Sequence, residues 1–262
     1  MKNFDFTRWH PSLVVLWVKT GVIHLDQVGV RKAIVLAGGR GERLQSVVPD
    51  LPKPMAPVGG RPFLAYILDR LVDAGVTEVI ISVGYKAEVI QEHFGHAYRA
   101  LQIRYSRESH PLGTGGAMAL ALKGEDSSPA LVLNGDTLVD IDYPALMVWY
   151  AQTAAQVAIV LRHVPDVSRF GAVMLLDERV VDFQEKGQQG PGLVNAGVYV
   201  VRPEVFSQYG SEEPFSFETD ILQAHCRELQ PRAFVTAGYF IDIGTPEDYE
   251  RAQNEAVITR FN

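Results

Sequence analysis

The sequence has almost no cysteine and only a short apolar run near its N-terminus. Cys226 is the single cysteine among 262 residues, so the chain cannot form an internal disulfide bond. We therefore predict a reduced, cytoplasmic protein and interpret Cys226 as a small apolar side chain rather than a nucleophile. The apolar run at 13–18 has only six residues, whereas a helix that spans a bilayer needs about 20. We expect no association with a membrane.

The chain also has too little positive charge for a nucleic-acid surface. Its 24 lysines and arginines are outnumbered by 31 aspartates and glutamates, which gives a net charge of −7 and a pI near 5.5. This balance argues against a nucleic-acid partner. Any site for an anionic ligand must therefore be built from cations placed locally, because the overall field repels the ligand.

Two common nucleotide-binding motifs are missing. A P-loop requires Gly-x-x-x-x-Gly-Lys-Ser/Thr, and no Gly-Lys-Ser/Thr follows the glycines at 38 and 39. A Rossmann fingerprint requires Gly-x-Gly-x-x-Gly/Ala, whereas Gly39-Arg-Gly-Glu-Arg-Leu44 ends in leucine. The prolines at 49, 52, 54 and 57 also exclude the long helix that would have to follow. The seven histidines lie outside the motifs described below, and we interpret them as surface or packing residues.

What the chain does contain is a glycine-rich turn after a predicted strand. Apolar residues 33–36 lead into Leu36-Ala-Gly-Gly-Arg-Gly-Glu-Arg-Leu44, and Pro52-Lys-Pro-Met-Ala-Pro57 follows. The glycines remove the Cβ atoms that would keep a phosphate chain away from backbone N–H groups. Arg40, Arg43 and Lys53 supply positive charge in the same segment. An isolated glycine cluster is often an ordinary loop, but this combination indicates a polyphosphate site.

These motifs resemble the signature of the sugar-1-phosphate nucleotidyltransferases, L-A-G-G-x-G-x-R-L followed by x-P-K-P-hydrophobic-x-P-V. The similarity continues through Asn134-Gly-Asp136, Glu185-Lys-Gly187, Asn195-Ala-Gly197 and Ile241-Asp-Ile-Gly-Thr-Pro246, and it covers about residues 32 to 257. The segments PLGTGGA, VLNGDTL, FSFETD and YFIDIGTPEDY are most similar to the D-glycero-D-manno-heptose 1-phosphate guanylyltransferases. The resemblance implies an enzyme that joins a nucleoside triphosphate, GTP in that subfamily, to a sugar 1-phosphate for a cell-surface glycan and releases pyrophosphate.

Alternating strands and helices agree with the nucleotide-diphospho-sugar transferase fold that this resemblance implies. We predict strands at 33–36, 78–83, 103–106, 130–133 and 157–161, and helices at 62–74, 87–94, 114–122 and 142–154. This order indicates an α/β fold with a doubly wound, mostly parallel, Rossmann-like sheet. Beyond Gly171 the chain is richer in strands, which predicts a small antiparallel extension on the sugar side. A strand at 239–243 and a terminal helix at 246–257 complete the predicted fold.

Residues 32–262 are predicted to form a single nucleotidyltransferase domain, preceded by an N-terminal appendage at 1–31. The family pattern starts only after this appendage, which has neither a clear hydrophobic signal region nor a small-residue cleavage site. One hypothesis is that the start codon is mis-assigned and that translation begins near Val28 or Val30.

The implied reaction explains a site rich in arginine, lysine and aspartate. A phosphate oxygen of the sugar 1-phosphate is already ionised, so no general base is required, but two polyanions must be brought together. Two unit charges about 4 Å apart repel by about 4 kcal/mol at an effective dielectric constant of about 20. By resemblance the catalytic residues are Arg43, Lys53, Asp136 and Asp242, with both cations on the triphosphate. The resemblance also implies that the two aspartates bind one Mg²⁺ together with phosphate oxygens.

The resemblance further implies two binding surfaces. The glycines before the helix at 114–122 are expected to let backbone groups contact the base. The nucleotide-binding residues are then Leu36, Ala37, Gly38, Gly39, Gly41, Arg43, Lys53, Gly84, Pro111, Gly113, Thr114 and Gly115. On the sugar side we expect a carboxylate for the hydroxyl groups and a lysine for the phosphate. The substrate-binding residues are then Asn134, Gly135, Gly171, Glu185, Lys186 and Asn195.

Four charged residues close to these motifs receive no catalytic role. Arg40 and Glu42 occupy positions that vary within the family, and relatives often have threonine at the second of them. Asp140 and Asp142 lie close to the first catalytic aspartate, and we interpret them as loop or N-cap residues.

Other functions remain open at this stage. The same chemistry could use UTP, CTP or ATP with mannose, glucose or N-acetylmuramate 1-phosphate, because backbone contacts do not reveal the base. A non-catalytic nucleotide-binding regulatory subunit is a second alternative, since a fold does not guarantee activity. The retained arginine, lysine and aspartates of the motifs favour the enzyme. A Rossmann dehydrogenase is a distant third alternative. The oligomeric state is also open, and a homo-oligomer is one alternative.

Overall fold

The computed structural model describes residues 32–210 and 214–254. The predicted appendage at 1–31 and the last residues of the predicted terminal helix, 255–257, lie outside these ranges. The strands in the described ranges are β1 (Lys32–Leu36), β2 (Pro57–Val58), β3 (Arg61–Pro62), β4 (Glu78–Val83), β5 (Ala97–Tyr98), β6 (Leu101–Arg107), β7 (Ala130–Asn134), β8 (Thr137–Val139), β9 (Val157–Val164), β10 (Val173–Leu176), β11 (Arg179–Phe183), β12 (Gly192–Val201), β13 (Arg232–Thr236) and β14 (Phe240–Asp242).

Helices connect most of these strands. The α-helices are α1 (Phe63–Asp73), α2 (Ala87–Phe94), α3 (Gly113–Leu122), α4 (Tyr143–Ala151), α5 (Glu204–Tyr209), α6 (Cys226–Leu229) and α7 (Pro246–Asn254). Short 3₁₀ turns cover Glu42–Leu44 and Lys53–Met55, and a π-helix covers Phe217–Gln223.

Ten of the strands form one mixed sheet in the order β10-β11-β13-β9-β12-β7-β1-β4-β6-β5. Strands β7, β1, β4 and β6 are parallel, whereas β12 lies antiparallel between β7 and β9. The antiparallel hairpin of β10 and β11 forms the far edge. The pairs β8–β14 and β2–β3 form two small antiparallel sheets. The predicted α/β fold is confirmed, and its antiparallel extension continues the main sheet instead of forming a separate layer.

Apolar side chains cover both faces of the central strands, because successive side chains of a strand point to opposite sides. In β1, Ala33 and Val35 pack in one core with α1, α2 and α4, whereas Ile34 packs in a second core with α3 and the π-helix. Strands β4 and β7 divide their residues between the two cores in the same way. Strands buried on both faces have continuous apolar sequences, which explains why these three are recognisable from sequence.

The parallel strands end at one edge of the sheet, and the loops that follow them meet there. Leu36, the last residue of β1, lies in register with Ser82 of β4 on one side and Asn134 of β7 on the other. Ser106, close to the end of β6, is in register with Ser82. The loops after β1, β4, β6 and β7 therefore meet where open α/β sheets bind their ligands.

Most predicted elements are present, with differences at their ends. The strands predicted at 103–106 and 157–161 extend over 101–107 and 157–164. The helix predicted at 142–154 ends at Ala151, and the Thr153 hydroxyl donates to the Tyr150 carbonyl at 2.8 Å, which closes a local turn. The helical turns α5 and α6 and the π-helix were not predicted, since segments of this length show too little periodicity.

The structure bears on two expectations drawn from the composition, one about Cys226 and one about membrane-spanning helices. Cys226, which we interpreted as a packing residue, is buried, and its Sγ donates to the Val180 carbonyl at 3.4 Å. Burial raises the pKa of this thiol and disfavours the reactive thiolate. Across 32–210 and 214–254 the helices are too short or too polar to cross a membrane. The cytoplasmic location stays a prediction.

A cluster of ion pairs joins the first strand to its neighbours. Glu125, in the turn after α3, contacts Lys32 of β1 at 2.5 Å and accepts hydrogen bonds from Arg104 of β6 at 2.7 and 2.9 Å. Arg104 also binds Glu78 at the start of β4. The Arg104 guanidinium, aided by Lys32, lowers the pKa of the Glu125 carboxyl to about 2. The ionised carboxylate is thus favoured in the folded state.

We expect Glu125→Gln to remove a pH-dependent part of the stability. Because the folded-state pKa lies below the ordinary value of about 4.3, the carboxylate stabilises the native state above that value and loses this effect in acid. Circular-dichroism melting curves should show a lower melting temperature for the variant at neutral pH. The difference from the unmodified protein should shrink as the pH falls from about 5 toward 3.

A matched control is Glu88→Gln, which alters an exposed carboxylate of α2 that forms no ion pair within the described ranges. This variant should show no such pH dependence. A melting-temperature difference for Glu125→Gln that stayed constant down to about pH 3 would contradict the role of the ionised carboxylate.

Candidate active site

A cavity of about 650 Å³ lies at the carboxyl edge of the parallel strands. Its size lies in the range of small-molecule sites. The structure brings many of the predicted site residues to its wall: Leu36, Ala37, Gly38, Gly39, Gly41, Arg43, Lys53, Pro111, Gly113, Thr114, Asn134 and Asp136. The wall also contains residues to which the sequence assigned no role, among them Arg40, Glu42, Glu108 and Gly244.

The glycine-rich loop lies directly on the end of β4. The Gly38 carbonyl accepts a hydrogen bond from the Tyr85 amide at 3.1 Å. A Cβ atom on Gly84 would lie 2.9 Å from that carbonyl oxygen, and one on Gly38 would lie 2.2 Å from Glu108 Oε1. Gly84 therefore supports the loop from below and does not line the cavity, while Gly38 leaves room for a carboxylate.

The loop cations differ in their surroundings. Arg43 lies in the exposed 3₁₀ turn beside the cavity and forms no ion pair with any described residue, so its guanidinium is available to an anionic ligand. Lys53 lies between Pro52 and Pro54, and its stem packs against Gly41, whose φ is +60°. A Cβ on Gly41 would lie 2.8 Å from the Lys53 Cβ. The glycine thus permits both the left-handed turn and the close approach.

Lys53 reaches both predicted metal ligands. Its Nζ lies 2.5 Å from Asp136 Oδ2 and 3.4 Å from Asp242 Oδ1. Asp136 directly precedes β8, and β8 pairs with β14 so that Asp242 is in register with Thr137. The Ile243 amide also donates to the Asp136 carbonyl at 3.0 Å. A small antiparallel sheet therefore brings together two aspartates that are far apart in sequence.

The charges at this place suit a divalent cation. Burial raises the pKa of the Asp242 carboxyl, the neighbouring Asp136 raises it further, and Lys53 opposes the rise. Two carboxylates beside one ammonium leave negative charge uncompensated. In the described ranges no third histidine, cysteine or acidic residue joins them to form a complete protein cage. Asp136 lines the cavity and Asp242 lies beside it against Lys53, and two such carboxylates match the way Mg²⁺ is bound together with phosphate oxygens and water.

The neighbouring Asp140 and Asp142 are engaged elsewhere. Asp142 is the N-cap of α4 and accepts a hydrogen bond from the Ala145 amide at 2.9 Å. Asp140 Oδ1 lies 3.1 Å from Arg70 Nη2. These contacts agree with their interpretation as an N-cap and a loop residue.

The first turn of α3 is covered by the segment that precedes the π-helix. The Phe215 carbonyl accepts hydrogen bonds from the Gly115 amide at 3.0 Å and from the Gly116 amide at 3.4 Å. A Cβ on Gly115 would lie 2.2 Å from the Phe215 ring. The Gly115 amide is therefore engaged by protein, and the residue does not line the cavity.

Glu218 in the π-helix is a residue that sequence reasoning missed. Its Oε2 accepts hydrogen bonds from the hydroxyls of Thr114 at 2.6 Å and Ser216 at 3.1 Å, and its Oε1 accepts from Tyr199 at 2.9 Å. The Tyr199 hydroxyl accepts in turn from Asn195 Nδ2 at 2.7 Å. Burial raises the pKa of Tyr199 well above its ordinary value, so the phenol stays protonated. The network joins the nucleotide wall to the predicted sugar side.

This network changes the expectation for Thr114. Its hydroxyl donates to Glu218 and accepts from the Phe217 amide at 2.8 Å, so its only hydrogen is already used. Its contact with the base stays a prediction. The sequence signal for Glu218 was the segment FSFETD, which contributed to the family resemblance without any role being assigned to its glutamate.

Glu108 is the second residue that sequence reasoning missed. It follows β6 and contacts both Ser82, near the end of β4, and the segment before α3, whose glycines were expected to contact the base. Its Oε1 accepts from the Ser82 hydroxyl at 3.3 Å, and its Oε2 accepts from the Leu112 amide at 3.0 Å. Each carboxylate oxygen has a second lone pair, so the group retains acceptor capacity toward the cavity. The sequence signal for Glu108 was its position directly after a strand of the parallel sheet, because ligands bind at the carboxyl ends of such strands.

The predicted sugar-side residues fall into two groups. Asn134 lines the cavity, whereas Gly135 packs beneath it and donates its amide to the Leu36 carbonyl at 2.8 Å. Asn195 donates a hydrogen bond to the Tyr199 hydroxyl, and its Oδ1 accepts a hydrogen bond from the Gly197 amide at 2.9 Å. These residues surround the end of β7.

Gly171, Glu185 and Lys186 form the second group, and they do not line the cavity. A Cβ on Gly171 would lie 2.6 Å from the Gln184 carbonyl and 3.7 Å from the Lys186 amide, so the two loops touch. Glu185 and Lys186 are exposed after β11. Their contacts with the sugar phosphate stay predictions.

An ion pair joins the loop before Gly171 to the segment that follows Asp242. Arg169 Nη1 donates to Asp248 Oδ1 at 3.2 Å, and Nη2 binds the other carboxylate oxygen. The Thr245 hydroxyl donates to Asp248 Oδ2 at 2.9 Å. Asp248 is buried at the start of α7, so this bidentate pair positions the loop relative to the aspartate cluster.

Comparisons with known proteins place the chain in a family. The family model of the nucleotidyl transferases matches residues 32–257. The chain is 41% identical over 224 residues to the D-glycero-alpha-D-manno-heptose 1-phosphate guanylyltransferase of Aneurinibacillus thermoaerophilus, covering 86% of this chain and 97% of the relative. It is 43% identical over 220 residues to the enzyme of the same name from Campylobacter jejuni, covering 83% and 96%.

A solved structure with similar sequence has the same fold. HddC from Yersinia pseudotuberculosis, complexed with GMP-PN, superposes with a TM-score of 0.74 at 37% identity, covering 86% of this chain and 99% of that one. Nucleotidyltransferases of this kind generally use a divalent metal. The family prediction made from the glycine-rich and Pro-Lys-Pro motifs is confirmed. The chain belongs to the nucleotidyl transferase family and is a transferase that joins a nucleoside triphosphate to a sugar phosphate.

Proposed function

We propose that the chain transfers the guanylyl group of GTP to D-glycero-α-D-manno-heptose 1-phosphate, forming GDP-heptose and pyrophosphate. The observation in the site that supports GTP is the carboxylate of Glu108 in the cavity wall, and the relatives named guanylyltransferases agree with it. The heptose rests on the two relatives of that name, which the chain matches over 97% and 96% of their lengths. The product would be an activated heptose for a cell-surface glycan.

Guanine is the base that a carboxylate at this position favours. Its Watson–Crick edge presents two adjacent donors, N1–H and the exocyclic amino group, and an ionised carboxylate only accepts hydrogen bonds. Uracil places a carbonyl on each side of its one donor, and adenine and cytosine place a ring acceptor beside theirs. The acceptor capacity that remains on Glu108 Oε1 and Oε2 would thus be complementary to guanine alone.

The triphosphate would lie along the glycine-rich loop. The Arg43 guanidinium, which has no carboxylate partner in the described ranges, would bind phosphate oxygens in a bidentate manner and stabilise the departing pyrophosphate. Gly38 and Gly39 let the backbone approach the phosphates closely. The sugar-phosphate oxygen attacks in line with the leaving group, so positioning and charge neutralisation supply most of the catalysis.

Asp136 and Asp242 would hold one Mg²⁺ in this proposal. The bound ion would neutralise and align the phosphate oxygens of both substrates. Asn134 contributes an uncharged polar group to the cavity beside this cluster. Glu185 and Lys186 would contact the sugar hydroxyls and the sugar phosphate from the loop after β11. The negative overall charge makes these local cations essential for collecting two polyanions.

The direct test is pyrophosphate release in the presence of Mg²⁺. GTP, UTP, CTP and ATP are each combined with the 1-phosphates of D-glycero-D-manno-heptose, mannose, glucose and N-acetylmuramate. We expect turnover with GTP and heptose 1-phosphate to exceed all other pairs. A clear preference for another pair would replace GTP and heptose 1-phosphate as the proposed substrates. Nucleotide binding without any turnover would instead support the regulatory alternative.

We expect Asp136→Asn to abolish turnover without unfolding the protein, because it removes a charge that a divalent ion needs and keeps the side-chain shape. Pyrophosphate release should fall at least about a hundredfold, while circular dichroism shows a native spectrum. Asp142→Asn is the matched control. This aspartate is an N-cap, and asparagine caps helices equally well, so both activity and stability should be retained. A normal rate for Asp136→Asn would contradict the metal-binding role.

We expect Glu108→Gln to weaken the preference for GTP. The amide group would present a donor toward the donors of guanine, so kcat/KM for GTP should fall about 10- to 100-fold. The values for the other nucleoside triphosphates should change much less. Glu42→Gln, which alters another carboxylate on the same wall, should leave the ratio unchanged. An equal loss with all four triphosphates after Glu108→Gln would show that the carboxylate does not select the base.

A further inference from the structure

We propose that Lys53 is a resident counter-ion that keeps the two metal-binding aspartates together before substrates bind, and that a divalent ion displaces its ammonium group. The proposal rests on the function proposed above, and it gives Lys53 a second role in addition to its expected contact with phosphate. In this view the ammonium and the metal ion are alternative partners of the same two carboxylates.

Lys53 Nζ lies where an ion shared by the two aspartates would lie. A single ion that binds both Asp136 and Asp242 has to lie between their carboxylates, and Lys53 Nζ lies there, 2.5 Å and 3.4 Å from their oxygens. The other oxygen of Asp136, Oδ1, already accepts a hydrogen bond from the Thr137 hydroxyl at 3.1 Å. A divalent ion at its usual distance of about 2.1 Å would compete for the oxygen that the ammonium now contacts.

The charges of the two carboxylates favour a cation between them. Two carboxylates that face one small space repel each other, and burial raises the cost of keeping both ionised. The Lys53 side chain is only 10% exposed, compared with 33% and 32% for the two aspartates. The Lys53 side chain is therefore more buried than either aspartate side chain, and its ammonium offsets part of the repulsion between the carboxylates in the absence of metal.

The backbone and the Cβ of Lys53 are closely packed by neighbouring residues. Gly41 lies against the Lys53 Cβ, and a Cβ on Gly244 would lie 3.2 Å from Nζ and 2.9 Å from Asp242 Oδ1. Pro52 and Pro54 restrict the backbone on either side. The base of the side chain is thus fixed, whereas rotation about its outer bonds would carry Nζ into the cavity that Lys53 lines.

If the metal ion displaces the ammonium, the binding of the metal ion and the binding of the triphosphate should be coupled. When a divalent ion takes the carboxylates, the ammonium loses its partners and a phosphate group becomes its natural replacement. Conversely, a triphosphate that attracts the ammonium leaves the carboxylates open to the ion. Each ligand should therefore strengthen the binding of the other, and this effect is reciprocal by necessity.

The test is Mn²⁺ binding without any substrate, measured from the electron paramagnetic resonance signal of free Mn²⁺. We expect Lys53→Met to tighten Mn²⁺ binding at least about tenfold, because it removes the competing charge between the carboxylates. Lys53→Gln should act in the same direction. Circular-dichroism melting of both variants shows whether they are folded, and Asp242→Asn should abolish the binding in both the unmodified and the Lys53→Met proteins.

Arg43→Met is the matched control, because it also removes a cation from the cavity wall but one that pairs with neither aspartate in the described ranges. It should change the dissociation constant of Mn²⁺ less than about twofold. A crystal of the unmodified protein soaked in Mn²⁺ should show the ion between the carboxylates and Lys53 Nζ more than about 4 Å from Asp136 Oδ2.

Three results would overturn the proposal. They are unchanged or weaker Mn²⁺ binding by folded Lys53→Met, equal tightening by Arg43→Met, and a soaked crystal in which the ammonium keeps its place beside the bound ion. None of these measurements includes a nucleotide or a sugar phosphate. Pyrophosphate release from the substrate pairs tests the proposed function independently. Failure of the proposed function can therefore be distinguished from failure of the proposed role of Lys53.

Discussion

The site depends on one electrostatic constraint, which is that two aspartates must stay close together in a partly buried place. Backbone pairing of β8 with β14 sets the distance between Asp136 and Asp242, and the Lys53 ammonium offsets part of their repulsion. Glycine at 41 permits the left-handed turn against the lysine stem, and a Cβ on Gly244 would lie 2.9 Å from Asp242 Oδ1 and 3.2 Å from Lys53 Nζ. A small antiparallel sheet and two close glycine contacts therefore serve a single charge cluster, which is the part of the cavity best suited to a divalent ion.

The large sheet supplies the rigid frame for this cluster. Strands β1, β4 and β7 are buried on both faces, and the loops that follow them meet the loop after β6 at one edge. The glycine-rich loop can lie flat on the end of β4 only because both Gly38 and Gly84 lack side chains. In a protein with a net charge of −7, this edge gathers Arg40, Arg43 and Lys53 on one wall. The same wall carries the carboxylates of Glu42, Glu108 and Asp136, so the local cations balance the acids beside them and make this edge less negative than the chain as a whole.

Contacts between distant segments join the two sides of the site. Glu218 accepts hydrogen bonds from Thr114 on the nucleotide wall and from Tyr199, which in turn contacts Asn195. The pair of Arg169 and Asp248 joins the loop before Gly171 to the segment that carries Asp242. Both connections run between elements that are far apart in sequence. They bring side chains from nearly the whole described chain around one cavity.

The sequence by itself determined the α/β fold, the family, the glycine-rich loop and the four charged residues Arg43, Lys53, Asp136 and Asp242. Continuous apolar strands, glycines and flanking prolines are local signals, and a motif carries its residue types with it. Only the tertiary structure decided which hydrogen-bond partners those residues meet. It revealed Glu108 and Glu218, showed that the Thr114 hydroxyl and the Gly115 amide are already engaged, and set Gly171, Glu185 and Lys186 outside the cavity wall. The physical reason is that hydrogen bonds and close packing join residues that are distant in sequence, and periodicity within a segment contains no information about the surface that the segment will meet.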